Sequence, residues 1–156
     1  MASSKDLVVV GIGSSAGGLE ALQILLSKVS NELNCSYIIA QHLSPTHRSM
    51  MVDLLSRITN IPVIEVQNGM VIKAKTIYMT PENTDIFISG GKIYLKSIQN
   101  TYGPKPSVNY FFNSLATAYG SKSIGIILSG TGSDGAFGIR AIKAAGGITI
   151  AQSPLS

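Results

Sequence analysis

Val8-Val9-Val10-Gly11-Ile12-Gly13-Ser14-Ser15-Ala16-Gly17-Gly18 decides the fold, because an apolar run stops there at small residues and an amphipathic run follows. The pattern predicts a buried strand, a tight turn and a helix start. Within it, Gly13-x-Ser15-x-Gly17 fits a turn whose flanking glycines let the chain bend sharply and leave the central hydroxyl exposed above a sheet, at a helix N-terminus. Unpaired N–H groups at such a helix start carry partial positive charge and favour a phosphate or a developing oxyanion equally. The turn leaves both chemistries open.

Gly11-x-Gly13-x-x-x-Gly17 also resembles the glycine-rich loop of dinucleotide-binding folds, with its last interval one residue too long. That reading calls for an acid about twenty residues on, at the end of the second strand, to hold a ribose hydroxyl. Here the second strand reads Ile38-Ile39-Ala40-Gln41-His42 and ends without one. A histidine there is what a serine nucleophile needs, and it shifts the balance to hydrolysis.

Composition sets outer bounds. A chain of 156 residues is an ordinary single domain with enough length for a real core. The charged fraction is only 13%, which points to an enzyme core or a surface meant for a partner. The net charge of +4 draws on Lys73, Lys75, Lys92, Lys96 and Lys105 in the middle third, without the dense basic stripe or aromatic platform of a nucleic-acid binder. A solvated lysine face is the plainer reading. The single cysteine, Cys35, excludes a disulfide framework and fits a reducing cytoplasm as a buried small hydrophobe. Met1-Ala2-Ser3-Ser4-Lys5-Asp6 lacks the charged and apolar regions expected of a signal peptide, and no run is long enough to span a membrane.

Along the chain, Leu19, Leu22, Ile24, Leu25, Leu26 and Val29 predict a helix over about 16–28, followed by a strand over 35–41 that is apolar enough for a parallel sheet. Pro45 is expected to break the chain before a helix over 48–58. From Ile61 the rhythm changes to short strand candidates at 62–66, 76–79, 85–88 and 92–95, with Gly90-Gly91 reading as a tight hairpin. These are expected to form a β-rich insertion. A helix over 107–119, a buried strand over 123–128, the glycine-rich loop Ser129-Gly130-Thr131-Gly132-Ser133-Asp134-Gly135, a helix over 136–145 and a last strand over 148–151 complete the chain. The expected class is α/β: a mostly parallel, doubly wound sheet with helices on both faces and a β-hairpin insertion.

Sites in open parallel sheets collect beyond the carboxyl ends of the strands. Three such ends carry Ser15, His42 and Asp134. A serine hydroxyl needs an imidazole to remove its proton, and the imidazole needs a carboxylate to set its tautomer. Each residue alone has a duller account: a small helix-start residue, a structural histidine, an N-cap. Among the alternatives, His47 sits at an expected helix start, Asp6 at the wrong end of the first strand, Asp53 within a helix and Asp85 in the insertion, so Asp134 is the best-placed acid. The order Ser, His, Asp differs from the Ser, acid, His order of α/β-hydrolases.

Val10 to Gly18, Ile39-Ala40-Gln41-His42-Leu43, Pro106-Ser107-Val108 and Ile127 to Ala136 together resemble, in order and spacing, the catalytic domain of the chemotaxis receptor protein-glutamate methylesterases of CheB type. The resemblance spans essentially the whole chain, 1–156, and implies one catalytic domain that stops short of the family's closing segment. It implies Ser15 as nucleophile, His42 as general base and Asp134 as orienting acid. It also implies hydrolysis of glutamate γ-methyl esters on the cytoplasmic helices of methylated chemoreceptors, with deamidation of receptor glutamines in some members, and no metal or cofactor. Backbone N–H groups at Ala16 and at Thr131 or Gly132 are the oxyanion donors that the loop chemistry suggests. The form of the 128–134 segment looks most like members joined to a receptor methyltransferase domain, which makes a fused or associated methyltransferase an expected partner. Lys105 and Asn109 stand where relatives often carry Arg and Asp, a departure expected to bear on substrate positioning. A nucleotide-binding module and a catalytically silent receptor-docking domain are the competing readings.

Overall fold

The computed structural model describes residues 6–15, 19–42, 45–81, 84–97, 107–128 and 135–152, with the main chain alone at 15, 42, 45–50 and 97. In chain order the elements are β1 (Val8–Ser15), α1 (Leu19–Ser27), β2 (Cys35–His42), α2 (Pro45–Ser56), β3 (Val63–Glu65), β4 (Met70–Val71), β5 (Thr76–Met79), β6 (Thr84–Ser89), β7 (Lys92–Ser97), α3 (Val108–Tyr119), β8 (Ser123–Ile127), α4 (Ala136–Ala144) and β9 (Ile148–Ala151).

Six strands form one sheet in the order β3-β5-β2-β1-β8-β9, and every pairing in it is parallel. β4, β7 and β6 form a separate antiparallel sheet. The expected doubly wound α/β class is therefore what the chain adopts. The β-rich insertion is smaller than expected, because β3 and β5 belong to the parallel sheet rather than to it. Short apolar runs look alike in either setting; what separates β5 is a neighbour on each side, β2 and β3, which buries Ile77, Tyr78 and Met79. Gly90 and Gly91 both take positive φ, 58° and 75°, and close the β6–β7 hairpin as two residues, a conformation that suits glycine. Pro45 does not break the chain: it opens α2, where a missing N–H costs nothing because first-turn amides have no helical partner.

The two faces of the sheet are filled differently. One is covered by α1 and α2, with Leu22, Leu26, Met51 and Leu55 packed on Val10, Ile12, Ile39 and Ile77. On the other, Phe111, Phe112 and Leu115 of α3 and Ile142 of α4 share a core with Val9, Ile38 and the inner side of the antiparallel sheet, Ile86, Ile88 and Ile93. Here β1 offers glycines. A Cβ on Gly11 would lie 2.8 Å from Leu115 Cδ2, and one on Gly13 would lie 2.7 Å from Val108 Cγ1. These two glycines sit inside a strand, and the space beside them belongs to α3.

After α4 the chain stops its helix with a left-handed residue, Gly146 at φ 90°; its N–H reaches Lys143 O, and the Gly147 N–H reaches Ile142 O. That pair of bonds satisfies carbonyls the helix end would leave open and turns the chain into β9.

Candidate active site

Winding direction places the site. From β1 the chain moves outward through α1 to β2 on one side, and later returns to β8 and moves outward through α4 to β9 on the other. Because α1 and α4 cover opposite faces, a crevice opens at the carboxyl ends of β1 and β8, the usual ligand position in doubly wound sheets.

Ser15 is the last residue of β1 and His42 the last of β2, and the parallel register pairs them directly, Ser15 with His42. Their Cα atoms are therefore neighbours across adjacent strands, although 27 positions separate them in sequence. Each strand end lies one residue further along than a turn at Ser15 or a strand over 35–41 would put it. Just inside this pair, Ser14 and Gln41 face each other in register and are both buried. Asp134, Ala16, Thr131 and Gly132 lie outside the described residues.

The flanks of the 129–134 segment are described: one bonds to β1, and the other packs on side chains that cover it. On one side the Leu128 N–H donates to Gly13 O at 2.9 Å. On the other, Gly135 adopts φ 106°, and a Cβ there would lie 2.6 Å from Ile127 Cδ1 and 3.2 Å from Val108 Cγ1. Those two side chains also close over Gly13. Gly13, Val108, Ile127 and Gly135 thus form one packed knot, with the first turns of α3 and α4 around it, beneath the strand end that carries Ser15.

Other acids are placed away from the pair. Asp6 is exposed ahead of the amino end of β1, and Asp53 is exposed on α2. Asp85 is buried on β6, where its Oδ1 accepts the Ser107 N–H at 2.7 Å just before α3 begins. His47 falls inside α2 rather than ahead of it. Cys35 is partly buried at the amino end of β2, remote from the site, and burial pushes its thiol up while a hydrogen bond from Tyr37 works the other way.

Two residues at or against the start of α3 have structural roles that the pattern did not show. Asp85 is the first, its carboxylate spent on the start of α3. Asn109 is the second: its Oδ1 accepts both the Gly135 N–H and the Gly138 N–H, each at 2.9 Å, so its side chain is engaged with α4. An Asx residue two positions past a helix cap was the available signal, though nothing local says which distant amides it meets.

Among the described residues no group of three His, Cys, Asp or Glu could hold a metal ion. No helix among them is long and apolar enough to cross a membrane.

Comparison with known proteins agrees with this geometry. The model of a family described as CheB methylesterase matches residues 10–156. A protein-glutamate methylesterase/protein-glutamine glutaminase of Syntrophus aciditrophicus is 35% identical over 96% of this chain, which spans only 43% of that relative. A putative protein of the same description from Leptospira interrogans is 32% identical, over 97% of this chain and 78% of its own length. The crystal structure of the Thermotoga maritima CheB methylesterase catalytic domain superposes with a TM-score of 0.85 at 26% identity, over 94% of this chain and 80% of that one. With its parallel sheet, its switch point at β1 and β8, and a family match over nearly its whole length, the chain belongs to the CheB methylesterase family.

Proposed function

We propose that this chain is the catalytic part of a protein-glutamate methylesterase that hydrolyses glutamate γ-methyl esters on the cytoplasmic helices of methylated chemoreceptors, and that it also deamidates glutamine side chains there. The observation that carries the reading is the pairing of Ser15 with His42 at adjacent strand ends, inside a chain of this family. In the proposed mechanism His42 takes the Ser15 proton as the oxygen attacks the ester carbonyl. Asp134 orients the imidazole and stabilises its charged form. The tetrahedral oxyanion is held by main-chain N–H groups at Ala16 and at Thr131 or Gly132. Collapse expels methanol, protonated by His42, and leaves an acyl-enzyme; a water deprotonated by His42 then releases the glutamate and restores Ser15. With a glutamine substrate the group expelled is ammonia.

The nucleotide-binding reading loses ground because Gly11 and Gly13, which it needs in a loop, lie within β1 with α3 against them. Ser15→Ala tests the esterase reading. Methanol release from a methylated receptor fragment should fall by at least about 10⁴-fold with the fold intact. Undiminished release would overturn the nucleophile, and a native chain inert on every methylated fragment would favour silent docking.

A further inference from the structure

We propose that Asn109 is a positioning residue for the acid of the triad, acting by fixing Gly135, the residue that directly follows Asp134 in the chain; this rests on the esterase reading above. α4 has nine residues, and its N-cap, Gly135, has no side chain to accept its first amides. So short a helix draws its stability from tertiary contacts, and its first N–H groups need acceptors from elsewhere. Asn109 supplies them from α3: one amide oxygen takes both the Gly135 N–H and the Gly138 N–H at 2.9 Å. The reach is possible because the helices nearly touch there. A Cβ on Gly138 would lie 2.6 Å from Phe112 Cβ and 3.3 Å from the Asn109 Cα, so the side chain that bridges them must be short.

The Gly135 N–H belongs to the peptide link with Asp134, so the bond to Asn109 fixes the described residue next to the acid. Asn109 is itself anchored. Ser107 caps α3 by accepting the Tyr110 N–H, the buried Asp85 takes the Ser107 N–H, and Val108 packs on Gly13 two residues before Ser15. A continuous set of contacts therefore runs from β1 through α3 and Asn109 to Gly135, tying the acid's anchor to the strand that carries the nucleophile.

Steady-state kinetics on a methylated receptor fragment test this with three variants. In Asn109→Ala both amides lose their acceptor, and kcat should fall about 10- to 100-fold with KM within about twofold, as expected when geometry rather than binding is lost. The acidic limb of the pH profile should move to lower pH, because a displaced carboxylate no longer favours the charged imidazole. Asn109→Asp keeps an acceptor for both amides, at a helix N-terminus that favours negative charge, and should restore kcat to within about threefold of the native chain. If Asn109→Ala does not fold, Asn109→Ser, which cannot reach both amides, should fall clearly below Asn109→Asp in kcat. A lowered melting temperature with kcat and the acidic limb unchanged would overturn the proposal and leave Asn109 a helix cap. Full activity of Ser15→Ala would instead overturn the esterase reading, so the two failures are distinct.

Discussion

The two faces of the parallel sheet are built on opposite principles. Against α1 and α2 the strands present full side chains, Val10, Ile12, Ile39 and Ile77, and the helices rest on top of them. Against α3, β1 presents Gly11 and Gly13, and the helix sinks until Leu115, Phe112 and Val108 occupy the space a Cβ would need. An ordinary core layer tolerates some repacking, whereas a helix set against bare backbone has almost no room to shift. The site's anchors, Val108, Asn109 and Gly135, are all on this second side. The main chain at Gly135 is thus coupled to β1 by close packing through Val108 and Ile127.

Large truncations break the comparison first. Phe112→Ala should cost about 3–5 kcal/mol, because its ring touches the positions of Gly11, Gly125 and Gly138 together. Leu26→Ala on the other face should cost about 2–5 kcal/mol. The distinguishing result is activity at a temperature where both variants are folded: kcat should drop for Phe112→Ala and stay within about twofold for Leu26→Ala. Denaturant unfolding and kinetics on the same samples provide both numbers.

Smaller changes at neighbouring positions sharpen it. Gly13→Ala adds one methyl against the stiff Val108 side chain and should cost about 1–3 kcal/mol together with a fall in kcat. Ile12→Val removes one carbon from the opposite face and should cost about 0.5–1.5 kcal/mol without touching kcat. If the close approach is the cause, Gly13→Ala combined with Val108→Ala should be less destabilised than the sum of the two single variants.

The mildest expectation concerns alkali. Burial, with Cys35 adding to it, pushes the Tyr37 hydroxyl on the α1/α2 side up to about 12 from 10.0. Burial also raises Tyr78, on the α3 side. In each case the folded chain holds the proton more tightly than the unfolded one, so their contribution is complete below about pH 10 and is lost as pH climbs through the raised value. Unfolding free energy should be flat up to about pH 10 and decline toward about 12, less steeply in Tyr37→Phe. A curve unchanged by that substitution would remove Tyr37 from the account.

Alternation and punctuation in the chain were enough to specify most elements: β5 and β9 lie where their patterns place them, and α3 starts one residue past its Ser107 cap. Such features are legible because strand and helix periods and turn residues act over a few positions. The Gly-x-Gly of β1 misled in one respect, since a glycine required by a neighbouring helix looks the same in sequence as one required by a phosphate loop. Membership of β3 and β5 in the parallel sheet was equally hidden, because a short apolar run does not name its partners.

By itself, then, the sequence determined the α/β class, the order of elements and the residue types able to do serine chemistry, all consequences of local pattern. Only tertiary structure decided that Ser15 meets His42 in register, that Asp85 is spent on the start of α3, and that Asn109 holds the first amides of α4. Those facts depend on strand neighbours and on the depth at which one helix seats against another. Both are set by the packing of side chains far apart along the chain.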